Sequence, residues 1–447
     1  MNFFRGLIEQ SQSRIKESTL GVLGIKNHAL RSHIESQFEK TLGTERSFLA
    51  TPAFEHTFGW ESGSTTFAEL SGSLLQPSLV KTLDEAQNYR FPKDLKPYKH
   101  QVEAWRALAE KQPRSTVITT GTGSGKTECF MVPILNDLIQ EYQEAQQPLV
   151  GVRALFLYPL NALINSQQER LDAWTRDFEG KLRFCLYNGK TENSASKVRK
   201  EQAIKPNQIL SRELLRKEPA PILMTNSTML EYMLIRQVDS PILDISKQQQ
   251  SLRWIVLDEA HTYVGSQAAE LSLLLKRVVQ AFGRESNQIR FVATSATIAD
   301  TNASEKLQQY LADLAGVPAE QVTVITGKRV WPLITERVSE RTLTLDEIIA
   351  MEPESEVSER RFDNLAGHPL SKALREHILQ RDKPQTLDAL VDLVSAELTG
   401  QNLQEKQQEV IRWLDVMTGT KREKKQDPFL KVRAHFFQRM LHGLWAC

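Results

Sequence analysis

The stretch Ser115-Thr116-Val117-Ile118-Thr119-Thr120-Gly121-Thr122-Gly123-Ser124-Gly125-Lys126-Thr127 decides the fold. A β-branched apolar run feeds a glycine-rich turn, and a helical pattern begins near Lys126. Glycines at such a turn let backbone N–H groups close around phosphate oxygens, and the helix N-terminus adds partial positive charge. Lys126 is placed to neutralise terminal phosphates, and Thr127 to offer its hydroxyl to a Mg²⁺ ion. Thr120 stands where the strict G-x-x-x-x-G-K-[ST] pattern wants glycine, so the match is to a looser form. A glycine-rich turn with an accidental lysine is the bland alternative, and the flanking strand and helix weigh against it.

Outward from this loop, short apolar runs alternate with helical patterns over residues 96–330, which predicts an α/β fold with a mostly parallel sheet. Strands are expected at Ser115–Thr119, Arg153–Tyr158, Leu182–Tyr187, Pro221–Thr225, Trp254–Asp258, Ile289–Thr294 and Val322–Ile325. One of them, Trp254-Ile255-Val256-Leu257, runs straight into Asp258-Glu259-Ala260-His261. A buried parallel strand delivers such carboxylates at its C-terminal end, where open α/β sheets bind ligands. Asp258 is then suited to the Mg²⁺ shell, and Glu259 to orienting or deprotonating a water. An isolated Asp-Glu-Ala-His string is also compatible with a strand-end cap; after a phosphate loop in the same domain the catalytic reading is preferred.

With both sites placed, the chain resembles the DEAD/DEAH-box part of superfamily 2 helicases across about residues 96–300. The resemblance implies a RecA-like P-loop NTPase domain that uses ATP and Mg²⁺. Pro97-Tyr98-Lys99-His100-Gln101 looks like the adenine-recognition motif, with Gln101 reading the base. Thr122, Gly123, Ser124, Gly125, Lys126 and Thr127 form the nucleotide loop. Tyr158-Pro159-Leu160-Asn161-Ala162-Leu163 resembles motif Ia and Thr225-Asn226-Ser227-Thr228-Met229-Leu230-Glu231 motif Ib. Pro159, Asn161, Thr225 and Asn226 are thereby expected to grip a single strand, taken as DNA. Ser295-Ala296-Thr297 resembles motif III, so Ser295, Thr297 and His261 are expected to couple hydrolysis to strand movement.

A closer resemblance, through Phe48-Leu49-Ala50-Thr51-Pro52-Ala53-Phe54-Glu55 and Gly443-Leu444-Trp445-Ala446-Cys447, is to large bacterial helicases with a cysteine-rich C-terminal domain. Those relatives continue into a second RecA-like domain with arginine fingers. No Gln-x-x-Gly-Arg-x-Gly-Arg-like motif occurs in residues 301–447, and Arg360-Arg361 and Lys421-Arg422 lack its glycines. A truncated or split product, or a subunit whose partner chain supplies the second domain, is the expectation. A helicase or translocase component is the leading reading; a non-catalytic module that docks nucleic acid or a partner is the alternative.

The flanks bound the rest. Residues 1–95 read as an N-terminal extension with helices within Phe3–Gln37 broken near Gly21 and Gly24, and Ser62–Ser73 as a loop. Residues 331–447 read as a helical accessory region, compatible with a winged-helix type. One helix there runs through Leu387 to Leu398 between a Thr386 cap and a Gly400 stop. Lys421–Lys425 suits a solvated linker better than a nucleic-acid contact, and Lys190, Lys197, Arg199, Lys200 and Lys205 suit a solvated insertion better than a phosphate track. The 447 residues carry 56 basic and 55 acidic side chains, a net charge of +1 that gives no global pull towards nucleic acid. No apolar run reaches the roughly 20 residues of a membrane helix and no secretory signal is evident, so the cytoplasm is expected. Three scattered cysteines exclude a disulfide framework or a complete zinc site, and Cys129 is expected inside the helix after the loop.

Overall fold

Strands buried on both faces need apolar side chains at every position, and the two faces of the central sheet follow from simple alternation. The computed structural model describes residues 3–38, 42–43, 49–57, 59–121, 123–159, 161–295, 303–330, 343–352, 355–381, 383–424 and 426–437. In it, Trp254 and Val256 enter one core, with Phe130, Phe156 and Trp174. Ile255 and Leu257 enter the other, with Leu275, Phe282 and Leu311.

The sheet has eight strands: β1 (Ser115–Thr119), β2 (Ala154–Leu157), β3 (Phe184–Leu186), β4 (Gln208–Ile209), β5 (Ile222–Thr225), β6 (Trp254–Leu257), β7 (Arg290–Ser295) and β8 (Val322–Thr326). Their order is β8-β1-β7-β6-β2-β5-β3-β4, and every neighbouring pair is parallel. Seven of these were expected; β4 is only two residues long and carries no periodic signal of its own. Strand β7 lies between β1 and β6, with Thr119 opposite Ser295 and Leu257 opposite Ala293. That register sets the ends of β1, β7 and β6 side by side at one edge. Four helices matter for the site: α1 (Lys99–Leu108), α2 (Lys126–Ala145), α3 (Asn161–Thr175) and α4 (Ser227–Ile235).

The chain divides into two compact units, at 59/60 and 330/331 rather than at 95/96 and 330/331. Residues 60–95 join the sheet unit because Phe67, in the segment expected to be a loop, is fully buried against Phe91 and Trp105. A short 3₁₀ turn, Ala68–Leu70, follows it. The second unit combines the N-terminal residues with those after 330. Ala53–His56 pairs antiparallel with both Gln385–Thr386 and Val432–His435. Phe4, Phe54, Leu374, Leu390 and Leu414 share its core. Helices Phe3–Leu23 and His28–Phe38 part at Gly24, whereas Gly21, expected to break the helix, lies inside the first. Thr386 caps Leu387–Leu393 by accepting the Ala389 N–H, but that helix stops well short of Gly400.

Two arginines considered at the sequence level have structural work in this unit. Arg361 is fully buried and donates to Thr420 Oγ1 at 2.8 Å and the Met351 carbonyl at 2.7 Å. Arg422 pairs with Asp363 and lies over the Phe362 ring, so it is no part of a freely solvated linker. Lys197 and Lys205 pair with Glu192 and Glu201 on and beside the exposed Ala195–Ile204 helix. Among the described residues no helix is long and apolar enough to cross a membrane, and no cluster of histidine, cysteine or acidic residues suits a metal. Cys129 is fully buried, as expected.

At the end of the sheet opposite the phosphate loop, charges stitch α2 to β2 and β6. Glu141 accepts both Arg153, at 2.6 Å, and Arg253, at 2.6 Å, while Asp137 accepts Arg253 and the Trp254 indole N–H. Burial pushes the Glu141 carboxyl up, and the two guanidinium groups more than offset this, leaving it below its ordinary 4.5. Its contribution is therefore complete above that value and is lost as pH falls through the lowered one. Glu141→Ala leaves the buried Arg153 without its carboxylate; the expected loss is about 2–4 kcal/mol, read by denaturant unfolding at neutral pH and shrinking in acid.

Candidate nucleotide and metal site

The loop after β1 is shaped from inside. Thr120, buried, shares a hydrogen bond with the Ser124 hydroxyl, which gives the non-glycine residue at this position a role. His100 Nε2 meets the Ser124 carbonyl at 2.8 Å. Gly123 and Gly125 take φ of +76° and +72°, conformations that favour glycine. A Cβ on Gly125 would stand 2.2 Å from Gln101 Nε2, so the inner wall is closed; one on Gly123 would meet nothing within 4 Å, so the outer face is open. Thr122 lies outside the described residues.

Gln101 sits beneath the loop. Its Oε1 accepts the Tyr98 N–H at 2.9 Å and its Nε2 donates to the Gly125 carbonyl at 3.3 Å, with 3% of the residue exposed. The amide expected to read a base here ties α1 to the phosphate loop, and Gly125 is its counterpart.

The three strand ends converge on Lys126. Its Nζ donates to the Ser295 carbonyl of β7 at 3.4 Å and lies 3.8 Å from Glu259 Oε1, just past β6. Asp258 is nearly buried and accepts the Thr294 hydroxyl at Oδ1; the same Thr294 oxygen accepts the Glu259 N–H at 3.0 Å. Burial raises the Asp258 carboxyl above its ordinary range, with the Thr294 hydrogen bond and Lys126 pulling the other way. Glu259 takes a left-handed φ of +51°, uncommon for a non-glycine residue and costing about 1 kcal/mol or more. His261 Nδ1 lies 3.3 Å from Glu259 Oε2.

Lys126, Asp258, Glu259, His261 and Ser295 are thus brought together. Thr127 Oγ1 accepts Gln167 Nε2 at 3.2 Å. Thr294 and Gln167 were not anticipated: one precedes the motif that drew attention, and the other is a polar residue on a helix with no local pattern. Thr297 lies outside the described residues. Pro159 and Asn161 stand where β2 passes into α3, beside Thr225 and Asn226 where β5 passes into α4; the Tyr158 N–H donates to the Thr225 carbonyl at 3.1 Å. Thr225 is buried with its hydroxyl given to the Tyr187 carbonyl at 2.7 Å, and Asn226 caps α4 by accepting the Met229 N–H at 2.9 Å. Those two side chains have structural tasks, and the neighbouring Thr228 is exposed.

Thr127 and Asp258 offer oxygen donors only, the set a hard cation such as Mg²⁺ takes, and Lys126 with the open outer face of Gly123 matches a polyphosphate. A glycine-rich loop and an acidic strand end flanking a shared central strand give this unit a RecA-like P-loop topology. Residues 98–305 match the family model for the DEAD/DEAH box helicase. The Druantia protein DruE of Escherichia coli (strain UMEA 4076-1) is 26% identical over 399 residues, covering 67% of this chain and 22% of that protein. The uncharacterized ATP-dependent helicase MJ1574 of Methanocaldococcus jannaschii is 28% identical over 212 residues, covering 47% and 27%. A crystal structure of the DUF1998 helicase MrfA bound to DNA is similar at 21% identity, with a TM-score of 0.43, over 82% of this chain and 46% of that one. The chain spans about a quarter of the length of these curated relatives.

Proposed function

We propose that this chain is the ATP-binding part of a helicase or translocase that works on single-stranded DNA with Mg²⁺, in the cytoplasm. The observation that carries this reading is the position of Lys126 Nζ, held between the Ser295 carbonyl and Glu259 at the joint edge of three strands. In the proposed cycle, loop amides and Lys126 bind the β- and γ-phosphates, and Thr127 and Asp258 hold the metal. When bound, Mg²⁺ would neutralise charge developing on the phosphate oxygens. Glu259 orients the attacking water and takes its proton, with His261 against its far oxygen. The Ser295 carbonyl gives Lys126 a contact to exchange for phosphate, which links nucleotide binding to β7 and the segment after it. Pro159, Asn161 and Thr225–Thr228 lie at the same edge, in reach of a strand laid across the ends of β2 and β5.

Arg361 and Arg422 are engaged within their own unit and leave the transition-state arginine to another source. In this reading it comes from a second RecA-like domain, on a partner chain or elsewhere in a longer protein, and is worth roughly 10³–10⁵ in rate. Steady-state ATP hydrolysis by the purified chain, with and without single-stranded DNA, tests the proposal against Lys126→Ala as the blank. The expected result is weak nucleotide binding that depends on Lys126, with slow turnover that DNA accelerates. Binding no better than in Lys126→Ala would overturn it; stimulation by RNA alone would reassign the strand.

A further inference from the structure

Two successive residues of α2, Thr127 and Glu128, meet two residues one turn apart on α3, Gln167 and Arg170. Arg170 pairs with the Glu128 carboxylate while its guanidinium lies over the rings of Tyr89 and Trp174, 5.1 and 5.6 Å from their centres. That clamp fixes α3 against the first turn of α2 and sets the reach of Gln167. The Gln167 amide then presents its Nε2 to Thr127 Oγ1 at 3.2 Å. Its other end, Oε1, is buried and has no hydrogen-bond partner. A buried carbonyl left unmatched costs about 1–3 kcal/mol, so this orientation is satisfied at one end only.

A threonine hydroxyl has two lone pairs and one proton. To ligate a metal it spends one lone pair, and its proton must point to an acceptor away from the cation. With Gln167 donating to Oγ1, that acceptor is missing from the amide. A half-turn of the amide places Oε1 on the hydroxyl instead. The carbonyl gains the partner it lacks, and both Oγ1 lone pairs are released. Glu128 Oε2, on the residue next to Thr127, is likewise buried without a partner.

We infer that Gln167 is a positioning residue for the metal site: by accepting the Thr127 proton it aims the hydroxyl lone pair at Mg²⁺. The inference rests on the proposed reading of Thr127 as a metal ligand. It also assigns a role to α3, which starts at Asn161 in the segment expected to touch the strand. Gln167 lies about 9 Å further along that helix, so one rigid element carries both.

The test is Mg²⁺ titration of a fluorescent ATP analogue bound to the full chain, with parallel binding in EDTA. Gln167→Met, of similar size and without an acceptor, is expected to need about ten-fold more Mg²⁺ for half-maximal binding, with affinity in EDTA unchanged. Gln167→Glu, which keeps an acceptor, restores the wild-type requirement or lowers it. In a Thr127→Val background Gln167→Met adds nothing, because the hydroxyl it serves is gone. A wild-type Mg²⁺ requirement in Gln167→Met overturns the inference, as does an equal loss in EDTA, which marks a packing role. Failure of the wild-type chain to bind nucleotide, or binding indifferent to Mg²⁺, overturns the reading of the site itself and the inference with it.

Discussion

Glu259→Gln stops turnover and keeps the nucleotide. The substitution preserves shape and removes the proton acceptor, so the chemical step is expected to slow by about 10²–10⁴-fold. Binding follows a different logic. Glu259 lies 3.8 Å from Lys126, competing with phosphate for that cation, and it sits next to Asp258 in a nearly buried corner. Losing its charge frees the lysine and relieves repulsion at Asp258, so affinity for ATP stays level or rises. Single-turnover hydrolysis and equilibrium binding of a fluorescent ATP analogue, on the same preparation, separate the two effects. A variant that hydrolyses at the wild-type single-turnover rate would show that the water is activated elsewhere.

Lys126→Ala is the complementary case, in which binding and chemistry fail together. The lysine is the cation poised between the ends of β7 and β6, and its contacts to phosphate are charge-assisted and strengthen as charge moves onto the leaving oxygens. Removing one such preorganised donor costs on the order of 10²–10³ in rate. Affinity should drop at least about ten-fold, because Asp258 and Glu259 are left facing the polyphosphate with no lysine between. The fold should survive. The lysine side chain retains 13% exposure, and its partners here are one carbonyl at 3.4 Å and one carboxylate at 3.8 Å. A melting curve within a few degrees of wild type together with lost binding is the expected pair of results. Unimpaired hydrolysis would remove this loop from the mechanism.

What could be seen in the amino-acid order follows from how locally each feature is encoded. The loop, the acidic strand end and seven of the strands are runs of contiguous residues with their own periodicity. Trp254–Leu257 is legible because each of its four side chains must be apolar to fill one core or the other. The placing of β7 between β1 and β6 is a long-range outcome, and so are the two residues it and α3 contribute. Thr294 matters because one hydroxyl touches both Asp258 and the Glu259 backbone across a strand gap. Gln167 matters because Arg170 pins its helix. Neither has a sequence neighbour that reveals it. Gln101, Thr225 and Asn226 show the converse: their types fitted ligand contact, but a nearby backbone group of the protein's own holds each one. Phe67 was hidden because polar neighbours on both sides gave its segment the composition of a loop.

The pairing of Ala53–His56 has a consequence during synthesis. Both of its partners, Gln385–Thr386 and Val432–His435, are made hundreds of residues later. At about 5–20 residues per second, the strand leaves the ribosome and waits on the order of tens of seconds with both hydrogen-bonding edges bare. Meanwhile the intervening sheet unit, residues 60–330, has all its strands in hand. A strand translated before the sheet unit is thus paired only after it, and its bare edges are a natural hold for a nascent-chain chaperone or a point of entanglement between neighbouring ribosomes.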